Sequence, residues 1–134
     1  MGYKARVYYH HTDSGGVVYY ANYLQFLEEA RTDFLERKGI SVPGYVKQGR
    51  HFVVSRQEID YRAPARYGDL LDIDTLVQGV SGVRIDLAHD IHNGSGSLII
   101  QARTILAFID TDFKPRAIPG ELKARILAPL PQEF

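Results

Sequence analysis

From Asn22 to Gly39 the apolar residues Tyr23, Phe26, Leu27, Ala30 and Phe34 recur at helical spacing, with Gln25, Glu28, Glu29, Asp33, Glu36 and Arg37 among them. This is the strongest periodic signal in the chain, and it predicts one amphipathic helix whose apolar stripe must be buried. Asn22 can cap its start, and Lys38 followed by Gly39 supplies a cationic last turn and a glycine stop. What flanks the helix is of another kind. Tyr3 to Tyr9 alternates as a short strand, and beyond a loop around Pro43 and Gly44 four β-type runs follow: Phe52 to Ala63, Leu70 to Val77, Val83 to Ile91, and Leu98 to Ile109. Pro64 to Gly68, Gln78 to Gly82 and Asn93 to Ser97 separate them, and the breaks are short enough for antiparallel hairpins between the later strands. Leu98 to Ile100 and Ile105 to Ile109 are apolar on both faces, which suits a central strand covered on both sides. Pro119-Gly120-Glu121 opens a short C-terminal segment that can be helical.

One long helix against about five antiparallel strands is an α+β arrangement in which the helix lies across the sheet to bury its stripe. A single helix covers only part of such a sheet. The opposite face and the edges therefore predict a second copy of the chain. No linker or composition shift divides the 134 residues, so a single domain over 1–134 is expected. Sixteen Lys and Arg balance sixteen Asp and Glu, which removes the field that would make nucleic acid or an anionic membrane a default partner. The chain has no Cys, which excludes a disulfide framework, a thiol nucleophile and a Cys-ligated metal. Its first residues lack an apolar signal segment and no run approaches a membrane span, so a soluble, cytoplasmic protein without membrane insertion is expected.

The segment His10 to Tyr23 places an acid, Asp13, two glycines and several aromatic residues immediately before the helix. A helix start presents unpaired N–H groups and partial positive charge, so it can polarise a carbonyl oxygen while a nearby carboxylate acts as nucleophile or base. The plainer alternative is that Asp13 stabilises a turn and the glycines only permit positive φ. The run Val7-Tyr8-Tyr9-His10-His11-Thr12-Asp13-Ser14-Gly15-Gly16-Val17-Val18-Tyr19-Tyr20-Ala21-Asn22-Tyr23, with Glu28 and Ala30-Arg31 after it, resembles the signature of hotdog-fold acyl-CoA thioesterases of the 4-hydroxybenzoyl-CoA thioesterase type. Within that type it is similar to the Tol–Pal-associated subfamily. Tyr61-Arg62-Ala63-Pro64-Ala65-Arg66 with Asp69, and Lys114-Pro115-Arg116-Ala117-Ile118-Pro119, resemble the same subfamily at matching places, so the likeness covers nearly the whole chain.

The resemblance implies a hotdog fold, with a long central helix packed on a five-stranded antiparallel sheet, and hydrolysis of an acyl-CoA thioester. It makes Asp13 the catalytic nucleophile or general base, and the Tyr20 backbone N–H the group that polarises the thioester carbonyl. It places His11, Gly16, Val17, Glu28, Arg62 and Arg66 around the substrate, and it implies a homodimer or homotetramer, with acyl carrier protein as a further partner. No metal or organic cofactor is expected, coenzyme A being part of the substrate. The chain departs from the pattern in two places. Tyr20 stands where subfamily members often have His, and His11 where the family usually has an acid.

Other residues admit two readings. His11 either stabilises the turn or tunes the Asp13 carboxylate. Glu28 either pairs with Arg31 three residues on or serves as an alternative catalytic acid. Arg62, Arg66, Lys114 and Arg116 are either solvated charges or contacts for coenzyme A phosphates; the turn Gln78 to Gly82 offers no basic residue for that purpose. Tyr3, Tyr8, Tyr9, Tyr19, Tyr20 and Tyr23 read as core and interface packing. His89 and His92 fall on opposite faces of a strand and cannot share a metal. Two other functions compete: a non-catalytic acyl-CoA or acyl-carrier-protein binding module, and a dehydratase, for which His89 is the only hint.

Overall fold

The computed structural model describes residues 2–131. Its strands β1 (Tyr3–Arg6), β2 (His51–Tyr61), β3 (Leu70–Val80), β4 (Arg84–His92) and β5 (Leu98–Ile109) form one antiparallel sheet in the order β1-β3-β4-β5-β2. The helices are α1 (Asn22–Arg37), α2 (Val42–Lys47) and α3 (Gly120–Leu127). All five residues of the spaced stripe on α1 are buried, joined by Leu35. They meet the inner face of the sheet in two apolar clusters. One gathers Tyr23, Phe26, Leu27 and Ala30 with Leu71, Ile73, Ile91, Ile99 and Ile100; the other gathers Phe34 and Leu35 with Ile85, Leu87, Leu106, Phe108 and, from α3, Leu122 and Ile126. Each fully buried side chain of this size contributes about 1.5–3 kcal/mol.

Several boundaries differ from the expectation, each for a local reason. β1 ends at Arg6 and not Tyr9, because residues Tyr9–His11 form a 3-10 turn. There the Tyr8 N–H donates to His11 Nδ1 at 2.9 Å, a side-chain acceptor that replaces the one a longer strand would supply. The loop around Pro43 contains α2, started by Ser41, whose Oγ accepts from the Gly44 N–H at 3.0 Å. Gln78 and Gly79 do not form a turn: β3 continues to Val80 through a bulge after Val77. Asn22 is not a cap but the first residue of α1, and its side-chain amide donates to the His11 carbonyl at 2.7 Å.

β5 is an interior strand, but its outer face is not covered along its length. Gln101 and Arg103 project there, and Arg103 pairs with Asp86. With Arg56–Glu58 and Lys4–Asp72 this puts three ion pairs on the outer face, beside the exposed Leu70 and Leu76 of β3. The edges differ: β1 has four residues, β2 eleven with one side unpaired. Among the described residues no helix is long and apolar enough to cross a membrane.

Candidate active site

The segment between β1 and α1 folds back on itself. Asp13 Oδ1 accepts from the Gly15 N–H at 2.8 Å, and the Gly16 N–H donates to the Asp13 carbonyl at 3.0 Å. Gly16 sits at φ +79°, a conformation that costs a side-chain-bearing residue energy, so the turn requires glycine there. The Asp13 N–H reaches the Val17 carbonyl at 2.9 Å, and the Tyr19 N–H reaches the His11 carbonyl at 2.9 Å. The Val18 N–H donates to the Ala65 carbonyl at 2.8 Å while Val17 bridges to Arg66, which pins the loop to the β2–β3 connection.

This wiring leaves two chemical groups free. Asp13 is exposed, and among the described residues its Oδ2 has no partner. The Tyr20 and Ala21 N–H groups likewise take no acceptor, because the first bonds of the helix start one residue later, with Asn22 N–H to the Tyr19 carbonyl at 2.8 Å. No side chain caps this end and no acid lies in its first turn, so the positive end of the dipole is unneutralised. The Tyr61 hydroxyl donates to the Tyr20 carbonyl at 3.2 Å and the Ala65 N–H to the Tyr23 hydroxyl at 3.3 Å, fixing the helix start against the end of β2. A carbonyl oxygen resting on those N–H groups is a chemically reasonable guest.

The other candidate residues divide. Gly16, Val17 and Arg66 are in or beside the loop. Arg62 is drawn off to Gln101 Oε1 at 2.8 Å, on the outer face of the sheet. His11 turns its ring to the Tyr8 N–H and packs 4.8 Å from the Phe26 ring, and burial beside His10 lowers its pKa. That geometry serves the turn; no contact joins it to Asp13 among the described residues. Glu28 does not pair with Arg31: its Oε1 accepts from the Thr32 hydroxyl at 3.0 Å. Of the tyrosines read as packing residues, Tyr23 is buried, while Tyr8, Tyr9, Tyr19 and Tyr20 are exposed around the loop.

Sequence reasoning did not find the groove of about 530 Å³ that runs beside α1, lined by Leu24, Gln25, Glu28, Glu29, Arg31, Val54 and Gln57. Its walls come from α1 and β2, distant in sequence; the only local signal was that Leu24, Glu28 and Arg31 share one helix face. His89 is 2% exposed and neutral, its pKa pushed down to about 4 by burial and then by the charge of Arg31. It faces the core while His92 lies on the other side of β4. Among the described residues no three His, Asp or Glu side chains cluster as a metal site.

The model of the thioesterase-like superfamily matches residues 7–126. The acyl-CoA thioester hydrolase YbgC of Escherichia coli O157:H7 is 37% identical over 120 residues, covering 89% of this chain and 90% of that protein. The structure of a 1,4-dihydroxy-2-naphthoyl-CoA thioesterase from Synechocystis superposes with TM-score 0.86 at 28% identity, over 92% of this chain and 93% of that one. A Thermus thermophilus thioesterase complexed with coenzyme A and Zn superposes with TM-score 0.82 at 25% identity, over 94% and 96%. On likeness that runs through nearly the whole chain, the protein belongs to the thioesterase-like superfamily and is a thioester hydrolase of the hotdog fold.

Proposed function

We propose that the protein hydrolyses an acyl-CoA thioester to a free carboxylic acid and coenzyme A, with Asp13 and the Tyr20 N–H as its working groups. One observation carries this reading: a carboxylate with a free oxygen and two acceptor-free N–H groups belong to one short, internally bonded loop at the uncapped start of α1. The thioester carbonyl oxygen rests on the Tyr20 N–H, whose donation strengthens as negative charge develops on that oxygen. Asp13 then either attacks the carbonyl carbon, releasing the coenzyme A thiolate and leaving an anhydride that water cleaves, or takes a proton from a water that attacks directly. The phenol of Tyr20 has no part in either route.

A thioester is already activated, so this chemistry calls on no metal or organic cofactor. Relatives named for acyl-CoA and for 1,4-dihydroxy-2-naphthoyl-CoA support the coenzyme A carrier; acyl carrier protein is the alternative carrier. Arg66, bridged to Val17, is a basic residue beside the loop for its phosphates, while Arg62 is held by Gln101. The working unit is a homodimer or homotetramer, supported by the eleven-residue unpaired edge of β2, and the compartment is the cytoplasm.

Asp13→Asn tests the reading, because an amide oxygen still accepts the Gly15 N–H and the turn is kept while the charge is lost. We expect kcat/KM over a panel of short, long and aromatic acyl-CoAs to fall on the order of a thousandfold with unchanged thermal stability. Equal low rates for both proteins, with thioester affinity retained, would instead support a non-catalytic acyl-CoA or acyl-carrier-protein binding module.

A further inference from the structure

The Asp13 carboxylate and the Tyr20 N–H can act on one carbonyl group only if two separately closed pieces of chain keep a fixed spacing. Asp13 sits in a turn held by its own bonds to Gly15, Gly16 and Val17. The Tyr20 N–H belongs to the peptide between Tyr19 and Tyr20, which is trans, so it points opposite to the Tyr19 carbonyl. That carbonyl accepts from the Asn22 N–H at 2.8 Å, and this bond sets the plane in which the Tyr20 N–H is aimed. The same residue reaches the other piece. Half-buried, the Asn22 side-chain amide donates at 2.7 Å to the carbonyl of His11, two residues before Asp13. The His11 carbonyl also accepts from the Tyr19 N–H at 2.9 Å, so Tyr19 and Asn22, which bracket Tyr20, are tied to one oxygen.

The other anchors run elsewhere. The Val18 N–H bonds the Ala65 carbonyl, the Tyr61 hydroxyl bonds the Tyr20 carbonyl, and the Ala65 N–H bonds the Tyr23 hydroxyl. These locate each piece against the end of β2 and the connection after it, whereas Asn22 spans from one piece to the other. An amide suits that task. A carboxylate of the same shape has no proton to give, sets a negative oxygen against the His11 carbonyl, and places an acid in a first turn that has none. Removing the donor altogether strands no acceptor, because the Tyr19 N–H still satisfies the His11 carbonyl. The side-chain bond of Asn22 therefore matters less to the fold than to the spacing.

We propose that Asn22 is a positioning residue: through the His11 and Tyr19 carbonyls it sets the separation of the Asp13 carboxylate from the Tyr20 N–H. The inference rests on the acyl-CoA reading above and adds to it a residue that touches no reacting atom. Its test is a double-mutant cycle, read as kcat and KM separately on the acyl-CoA that the parent hydrolyses fastest. Asn22→Leu loses the donor at similar side-chain size, and its kcat should fall about ten- to a hundredfold with KM within about twofold of the parent. Asn22→Asp should fall at least as far, and Asn22→Gln, which keeps the amide on a longer stem, should recover part of the rate. Added to Asp13→Asn, Asn22→Leu should lower the remaining rate by less than about twofold, because the spacing then serves no carboxylate. The same fold-loss in both backgrounds makes Asn22 a structural residue and overturns the inference, as does an unchanged kcat or a loss confined to KM. If circular dichroism shows that Asn22→Leu does not fold, the cycle is run with Asn22→Ser, whose hydroxyl stops short of the His11 carbonyl, and the same outcomes decide. An Asp13→Asn protein that keeps the parental rate overturns the catalytic reading and this inference with it. Loss of rate in Asp13→Asn beside full rate in Asn22→Leu overturns this inference alone.

Discussion

The two ends of α1 are built to opposite rules. At the C-terminal end the chain folds back on the last turn: Gly39, at φ +76°, turns the chain, and the Gly39 and Ile40 N–H groups return to the Glu36 and Leu35 carbonyls at 2.9 and 3.0 Å. Arg125 Nη1 donates to the Gly39 carbonyl at 2.9 Å, and Lys38 Nζ reaches across to the Ile126 and Ala128 carbonyls at the end of α3 while lying 4.7 Å from the Phe34 ring. At the N-terminal end the cap position is Ala21 without a side-chain bond, and the Tyr20 and Ala21 N–H groups are unanswered. A protein that can close one end so thoroughly has the means to close the other. The open end is where stability has been forgone, and in the proposed mechanism it is where a substrate oxygen would supply the missing acceptor.

The largest effect asks whether the two ends belong to one cooperative unit. His89 lies in the core of the sheet, with the charge of Arg31 on α1 acting on it, and its folded pKa of about 4 is below the ordinary 6.5. A depressed folded value means that the unfolded chain binds the extra proton: stability is complete above about pH 6.5, is lost as pH falls toward 4, and changes no further through this group below that. The loss is about 3 kcal/mol. Urea titrations at pH 7 and 4.5, followed by far-ultraviolet circular dichroism for the helix and by tyrosine fluorescence for the aromatic cluster at its start, should give coincident transitions. His89→Leu should flatten the pH dependence. Separate transitions would show that the open end melts on its own and would break the comparison.

Lys38→Met strips the closed end of its cation while keeping the length of the stem. We expect a loss of about 2 kcal/mol in chemical denaturation, from two charge-assisted hydrogen bonds and the ring contact, with kcat/KM of the folded protein unaltered. Tyr19→Asp does the reverse at the other end: it sets a carboxylate where it can accept from the free N–H groups. Stability should rise by about 1 kcal/mol as a cap forms, and kcat/KM should fall roughly tenfold because the carboxylate competes with the substrate oxygen. A rise in both would remove the Tyr20 N–H from the mechanism.

How much of this was legible in the sequence follows the same division between local and assembled. The α1 stripe read correctly because helical spacing is set by residues three and four apart, and each of Tyr23, Phe26, Leu27, Ala30 and Phe34 is buried. Gly39 read correctly as a stop for the same reason. Asp13 and the helix start could be joined on paper because only eight residues separate Asp13 from Asn22. The groove could not, since Val54 and Gln57 reach Arg31 only after β2 has paired with β5 and the sheet has met the helix. Spacing suggested a Glu28–Arg31 pair; the Thr32 hydroxyl, one turn on from Glu28, donates to that carboxylate, and Glu28 and Arg31 both line the groove. The end of β1 was misjudged because alternation reports a pattern of faces and is blind to a histidine ring that satisfies the Tyr8 N–H.

The smallest effect is also the most direct comparison, because each end carries one glycine in the same backbone state: Gly16 at φ +79° and Gly39 at φ +76°. An alanine at either position pays a left-handed strain of about 1 kcal/mol. At Gly39 the added methyl also comes within 3.2 Å of Arg125 Nη1, the end of a flexible side chain that can give way, whereas at Gly16 it meets open space. Thermodynamics alone therefore ranks Gly39→Ala as equal or slightly worse. Kinetics should invert that order. Gly39→Ala strains a turn that touches no reacting group, so its kcat/KM should match the parent. Gly16→Ala strains the turn that holds Asp13 against the Gly15 N–H, so its rate should drop severalfold for the same loss of stability. Rates that track stability equally at both glycines would mean that the Asp13 turn has no positional demand, and the catalytic assignment at the open end would have to be withdrawn.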